Sequence, residues 1–243
     1  MKPVCLAIGG SDSCSGAGIQ ADLRIFEWLG IKGCSAITTL TAQNPREIIH
    51  IEPVPLAHLD AELQAVFDYY DVAAVKTGML MDAEHTAVVA ASLQQNHAGR
   101  PFVLDPVMFA STGTELLDEG GRNALTHALI PSVSLITPNR EEAAFWLNHP
   151  VNRAEEDALT LAKQLDTPVL LKGGHAEGDV LNDVFASPDG SIKVFHHKRK
   201  PWDEDKRHGT GCRLASAITA HLALGEGLIE AIEKGISSSQ KAP

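Results

Sequence analysis

Short apolar runs alternate along this chain with longer stretches whose apolar positions recur every three or four residues. Residues 4–8 form the first short run, and Ile19, Leu23, Phe26 and Leu29 then share one helical face that Gly30 closes. The same rhythm predicts further strands at 35–40, 73–76, 102–104, 133–136 and 169–171. It predicts helices on the face Leu56, Leu59, Leu63, Val66 and Tyr70, over 83–95 and 121–129, and between the strands at 133–136 and 169–171. Leu214, Ile218 and Leu222 mark another helix, and 228–238 a last one. Strand–helix alternation of this kind implies a mainly parallel sheet covered by helices on both faces. The stretch 180–197 departs from it: Asp189-Gly190 separates two β-rich segments, which predicts an antiparallel hairpin at one sheet edge. The expectation is one three-layer α/β domain over residues 1–243, with 196–207 as a charged loop or flap.

Composition narrows the partners. Asp and Glu outnumber Lys and Arg by 31 to 20, a formal charge of −11, which argues against nucleic acid or an anionic membrane surface as partner. Four cysteines without CxxC spacing, no signal-peptide core and no apolar stretch of spanning length imply a soluble protein of the reducing cytoplasm.

In such sheets ligands bind beyond the carboxyl ends of the strands. The unusual residues gather there, at 9–18, 41–44, 76–79, 105–108, 137–142, 172–175 and 207–212. Gly16-Ala-Gly18-Ile-Gln-Ala21 fits the dinucleotide pattern, but its glycines do not follow the strand directly and no acidic residue ends the next strand. A glycine turn built for close packing fits that context better than a nicotinamide site. His208-Gly-Thr-Gly-Cys212 opens a helix, where backbone N–H groups and the helix dipole make an anion hole suited to a transferring phosphoryl group; a plain turn into a core helix reads equally well. Cys212, in the first turn, is either a small buried hydrophobe or a thiolate favoured by the dipole that takes a substrate proton. Asn139 with Glu142 resembles a capping box, and Glu142 and Asp105 are also oxygen ligands suited to Mg²⁺. Lys172, at another strand end, suits nucleotide phosphates. Anion hole, carboxylates and cation together point to phosphoryl transfer.

The ordered motifs GSD, GAGIQADL, ITTLTAQN, KTGML, LDPVM, LITPNREEA, LKGGH and HGTGC run from Gly10 to Cys212. They resemble the hydroxymethylpyrimidine/phosphomethylpyrimidine kinases of thiamine biosynthesis, in the ribokinase-like superfamily. The resemblance implies a ribokinase-like fold and MgATP-dependent phosphorylation of 4-amino-5-hydroxymethyl-2-methylpyrimidine and then of its monophosphate. It implies that Cys212, with Gly209 and Gly211, forms the reaction centre, Cys212 standing where sugar-kinase relatives carry an aspartate base. It places Gly10, Asp12, Ala17, Gln43, Met79 and Val107 on the pyrimidine, with the Gln43 amide on the aminopyrimidine edge. Asn139, Lys172 and Thr210 would face ATP, and Asp105 and Glu142 Mg²⁺. A homodimer is implied as well. Relatives that phosphorylate pyridoxal make a pyridoxal-type kinase the alternative, and a non-catalytic pyrimidine-binding domain is a third.

Four features depart from the family pattern. Ser13-Cys14-Ser15 replaces Pro-Ser-Gly in the first glycine loop, and Arg207 precedes His208 where a small polar residue is common. Arg213 follows Cys212 in place of Thr, adding charge beside the phosphate site, and the glycine-rich segment expected after the last helix is missing.

Overall fold

The computed structural model describes residues 2–97, 99–110, 113–173, 180–198 and 209–241. The strands are β1 (Val4–Asp12), β2 (Lys32–Asn44), β3 (Glu47–Pro53), β4 (Val72–Thr77), β5 (Phe102–Leu104), β6 (Leu135–Ile136), β7 (Val169–Leu171), β8 (Val180–Ala186) and β9 (Ile192–Lys198). They form one sheet in the order β3-β2-β1-β4-β5-β6-β7-β8-β9. The pairs from β2 to β7 are parallel, while β2–β3, β7–β8 and β8–β9 are antiparallel. The helices are α1 (Gly18–Trp28), α2 (Leu56–Tyr69), α3 (Ala83–Asn96), α4 (Glu119–Ala124), α5 (Arg140–Leu147), α6 (Ala154–Leu165), α7 (Thr210–Ala223) and α8 (Leu228–Ser239).

The strands read as continuous apolar runs because both faces are buried, and their two-residue period divides them between two cores. Leu6 and Ile8 of β1, Phe102 and Leu104 of β5, and Val169 and Leu171 of β7 join Leu59, Leu63, Val89, Trp146 and Leu161 from α2, α3, α5 and α6. Their neighbours Val103 and Leu170 face the other way, onto Leu214, Ile218, Ile232 and Ile236 of α7 and α8. Cys5 and Ala7 meet Ile19 and Phe26 of α1.

The sheet ends in antiparallel strands at both edges, one more hairpin than expected. The second is β2–β3: the strand expected at 35–40 continues to Asn44, whose Oδ1 accepts hydrogen bonds from the Arg46 and Glu47 N–H groups and turns the chain back. Thr41 and Gln43 therefore lie within a strand rather than beyond it. The helix expected over 121–129 is α4 followed by a π turn, Leu125–Leu129, and a 3₁₀ turn, Ile130–Ser132. Its 3₁₀ turn closes through Val133 N–H to the Ile130 carbonyl, which delays β6 to Leu135. Residues 196–198, expected in the flap, complete β9; 199–207 lie outside the described residues, as do His175 and His208.

Ser15 has φ +61°, in the left-handed region that glycine adopts freely. The resembled family carries glycine there. Relief of this strain, about 1 kcal/mol, exceeds the entropy that a glycine adds to the unfolded chain, so Ser15→Gly should stabilise the protein by roughly 0.5 kcal/mol. Urea unfolding measures this, and a lower midpoint at unchanged m would contradict it.

Candidate functional site

Chain order reverses between β1 and β4: β1 leads through α1 to β2 on one side, and β4 leads through α3 to β5 on the other. The two connections leave on opposite faces, so a crevice opens at the strand ends. Here Gly78 N–H donates to the Ile8 carbonyl at 2.8 Å, holding the two departing chains together. A cavity of about 530 Å³ fills the crevice, and the residues assigned to catalysis, substrate, nucleotide and metal from the sequence line it: Gly10, Asp12, Ala17, Gln43, Met79, Val107, Asp105, Asn139, Glu142, Lys172, Gly209, Thr210, Gly211 and Cys212.

Charged groups occupy its floor. Lys172, after β7, holds Asp105, after β5, at 2.8 Å, and Glu142 of α5 stands 4.0 Å away. Burial alone would discharge Lys172, but Asp105 and Glu142 outweigh it and raise its pKa. Asp105 is likewise buried, yet Lys172, Lys76 and hydrogen bonds from Lys172 and Cys212 hold its carboxyl below the usual range. Glu142 goes the other way, because burial and Asp105 together exceed the pull of Lys172. The capping box is also real: Asn139 Oδ1 accepts from Glu142 N–H at 2.9 Å, and Glu142 Oε2 accepts from Asn139 N–H at 2.8 Å. Capping fixes Glu142 at the cavity wall.

A second pair went unnoticed in the sequence. Lys76 of β4 and Asp22 of α1, each 1% exposed, are joined at 2.8 and 3.0 Å, and both line the cavity. Ser216 Oγ of α7 lies 2.6 Å from Asp22 Oδ1 and 2.8 Å from the Cys212 carbonyl, tying the pair to the helix of the reaction centre. Asp22 stands on the apolar face of α1, three residues from both Ile19 and Ile25, a charge out of place that was the signal available in the sequence, while only the KTG turn hinted at Lys76. Ile48, Phe109 and Leu116 also line the cavity and were not foreseen.

The two glycine-rich segments lock together. Gly209, with φ +81°, caps α7, and a Cβ there would fall 2.0 Å from the Gly16 carbonyl oxygen. Gly16-Ala-Gly18 is thus a packing surface for the 209–212 turn, as its context suggested. Asp12 turns its carboxylate into its own loop, accepting from Cys14 N–H at 2.9 Å and Ala17 N–H at 2.7 Å. Ser13, where the family pattern has proline, lies with Oγ 2.9 Å from both the N and the O of Gln43, and so grips the strand that carries that amide.

Of the two readings of Cys212, the surroundings favour the protonated one. Burial pushes its thiol up to about 12, and Asp105 and Asp22 add to this against Lys76 and Lys172. Lost hydration and the two carboxylates favour the thiol form over the thiolate reading. Arg213, expected beside the phosphate site, is buried away from the cavity lining, next to Arg24.

A family model described as Phosphomethylpyrimidine kinase matches residues 12–242. The hydroxymethylpyrimidine/phosphomethylpyrimidine kinase of Rhizobium meliloti is 39% identical over 236 residues, 96% of this chain and 87% of that protein. A crystal structure of phosphomethylpyrimidine kinase from Clostridium difficile superposes with a TM-score of 0.83 at 33% identity, covering 99% of this chain and 98% of the other. Pyridoxal kinase from Staphylococcus aureus in complex with AMP-PCP and pyridoxal gives 0.85 at 27% identity, covering 99% and 87%.

Asp22→Ala strands the Lys76 charge in the interior and should cost about 3–5 kcal/mol, whereas the paired change Lys76→Met with Asp22→Leu should recover most of that loss. Denaturant unfolding of the two variants checks this; equal destabilisation would show that the pair acts only through shape.

Proposed function

The chain belongs to the phosphomethylpyrimidine kinase family, and on that premise we propose how its own residues transfer phosphate from ATP to 4-amino-5-hydroxymethyl-2-methylpyrimidine and to its monophosphate, a step of thiamine biosynthesis. The carrying observation is the meeting of Cys212, Lys172 and the first turn of α7 in one cavity with Gln43. Lys172 Nζ lies 3.2 Å from the position a Gly211 Cβ would take, so the cation sits directly against the helix N-terminus. Ammonium, backbone N–H groups and helix dipole together favour the charge on a transferring phosphoryl group.

Gln43 offers a donor and an acceptor, which matches the ring nitrogen and amine on one edge of an aminopyrimidine. Gly10, Ala17, Met79 and Val107 form the apolar walls for the ring. The hydroxymethyl oxygen, or for the monophosphate an oxygen of its phosphate, attacks the terminal phosphorus as the bond to the leaving ADP oxygen breaks. In a loose transition state the alcohol keeps its proton until late, when the oxygen bonded to phosphorus has become acidic and the proton passes to a phosphoryl oxygen or to solvent. A neutral Cys212 thiol fits that order, since its work is to hold the hydroxyl in line.

Asn139, Thr210 and Lys172 would face the nucleotide. Among the described residues no group of three or more His, Cys, Asp or Glu gathers in a metal-holding arrangement. Asp105 and Glu142 are two hard oxygen donors, which suits Mg²⁺, an ion that takes one or two protein carboxylates and fills its shell with phosphates and water. The ion would neutralise phosphate charge. No helix among the described residues is long and apolar enough to cross a membrane, in keeping with a cytoplasmic enzyme, which we take to act as a homodimer.

An ADP-release assay with the pyrimidine alcohol, its monophosphate and pyridoxal side by side tests the reading. Both pyrimidines should be turned over with kcat/KM at least about tenfold above pyridoxal. Cys212→Ala should lower kcat by about 100-fold with the fold intact by circular dichroism. A preference for pyridoxal would make the chain a pyridoxal-type kinase, and tight pyrimidine binding without ADP release at any MgATP level would make it a binding domain.

A further inference from the structure

The loop that carries Lys172 is anchored from outside the cavity. Lys172 N–H donates to the Pro138 carbonyl at 2.8 Å, and the next N–H, that of Gly173, donates to Asp183 Oδ1 of β8, also at 2.8 Å. Gly173 runs so close to β8 that a Cβ on it would fall 2.3 Å from the Asn182 carbonyl oxygen. Asp183 is 3% exposed and does not line the cavity. A carboxylate buried this far needs partners for its remaining lone pairs. His197 of β9 supplies one, with Nε2 2.9 Å from Asp183 Oδ2, and Gln240 after α8 places Nε2 2.8 Å from His197 Nδ1.

The donors order themselves in one direction. Because the carboxylate only accepts, His197 presents Nε2–H to it, leaving Nδ1 as acceptor for the Gln240 amide. The chain Gln240–His197–Asp183 therefore ends on the backbone N–H beside Lys172. Nothing in the sequence motifs pointed to these three residues, since they come from an edge hairpin and the end of the last helix.

We infer that Asp183, held by His197 and Gln240, is a positioning residue for the nucleotide: it fixes the Lys172–Gly173 backbone so that the Lys172 ammonium stays against the first turn of α7. This rests on the assignment of Lys172 to the nucleotide phosphates. It requires that loss of Asp183 be felt at the ATP side of the cavity and not at the pyrimidine side, where Gln43 stands on β2 and Met79 follows β4.

ADP affinity by calorimetry, together with KM for each substrate, tests it on the full chain. Asp183→Ala should weaken ADP and raise KM for ATP about tenfold, leaving KM for the pyrimidine within about twofold. Asp183→Asn should stay within about threefold of the parent, because its Oδ1 still accepts from Gly173 while its amide donates to His197 Nε2, and the His197 tautomer and Gln240 amide reverse to match. His197→Ala, at a partly exposed position where folding is retained, should weaken ADP about threefold. Lys172→Met, measured alongside, separates the two layers. If it weakens ADP while Asp183→Ala and His197→Ala do not, the inference is overturned and the Lys172 assignment stands. If Asp183→Ala raises both KM values equally, the role is structural and the inference falls. If Lys172→Met leaves ADP binding unchanged, the assignment itself is wrong and the inference goes with it.

Discussion

Everything about this site follows from bringing charged side chains to the ends of parallel strands that are buried on both faces. Lys76, Asp22, Asp105 and Glu142 are almost wholly inaccessible there, so each charge needs another side chain of the fold as its partner. Lys76 with Asp22, and Lys172 with Asp105 and Glu142, meet that demand at 2.8 to 4.0 Å. Unpaired, any one of them would cost several kcal/mol or give up its charge. Paired, they form a floor of fixed charges whose arrangement costs nothing further when a phosphoryl group arrives, which is the condition for electrostatic stabilisation of a transfer.

The same burial explains Cys212. A thiol at a helix N-terminus is expected to ionise, but two carboxylates and the loss of hydration reverse that. Phosphoryl transfer tolerates this because the demand for a strong base is small. The turn that carries the cysteine is held by backbone rather than by side chains: Gly209 lies on the Gly16 carbonyl, and the two loops define one wall together. Ser13 in place of a proline replaces stiffness with hydrogen bonds to Gln43, so the altered loop still anchors the strand bearing the amide.

Most of the architecture was legible along the chain because the two relevant periods differ sharply. Short apolar runs and three-to-four spacing separated strands from helices at nearly every position. The exceptions have local causes. The β2–β3 hairpin was missed because Glu47–Pro53 carries charge on an exposed edge and reads as a loop, although Asn44-Pro45 is a turn signal. Most residues expected at the site reached the cavity, Arg213 being an exception, because their motifs stand near strand ends, and strand ends converge in this class of fold.

From the amino-acid order alone came the alternation of elements, the side of the sheet on which ligands bind, and the identities of Cys212, Gln43, Lys172, Asp105 and Glu142. The alternation depends on local periodicity, and Cys212, Lys172, Asp105 and Glu142 on residue type beside a strand or helix end, whereas Gln43 came only from the family resemblance. Which charges pair, whether Cys212 ionises, and what anchors the Lys172 loop were decided only by tertiary structure. Asp22 and Lys76 are 54 residues apart and Cys5 lies 214 residues from its partner carbonyl on Thr219. Hydration and Coulomb energies depend on distance through space, and no pattern along the chain records it.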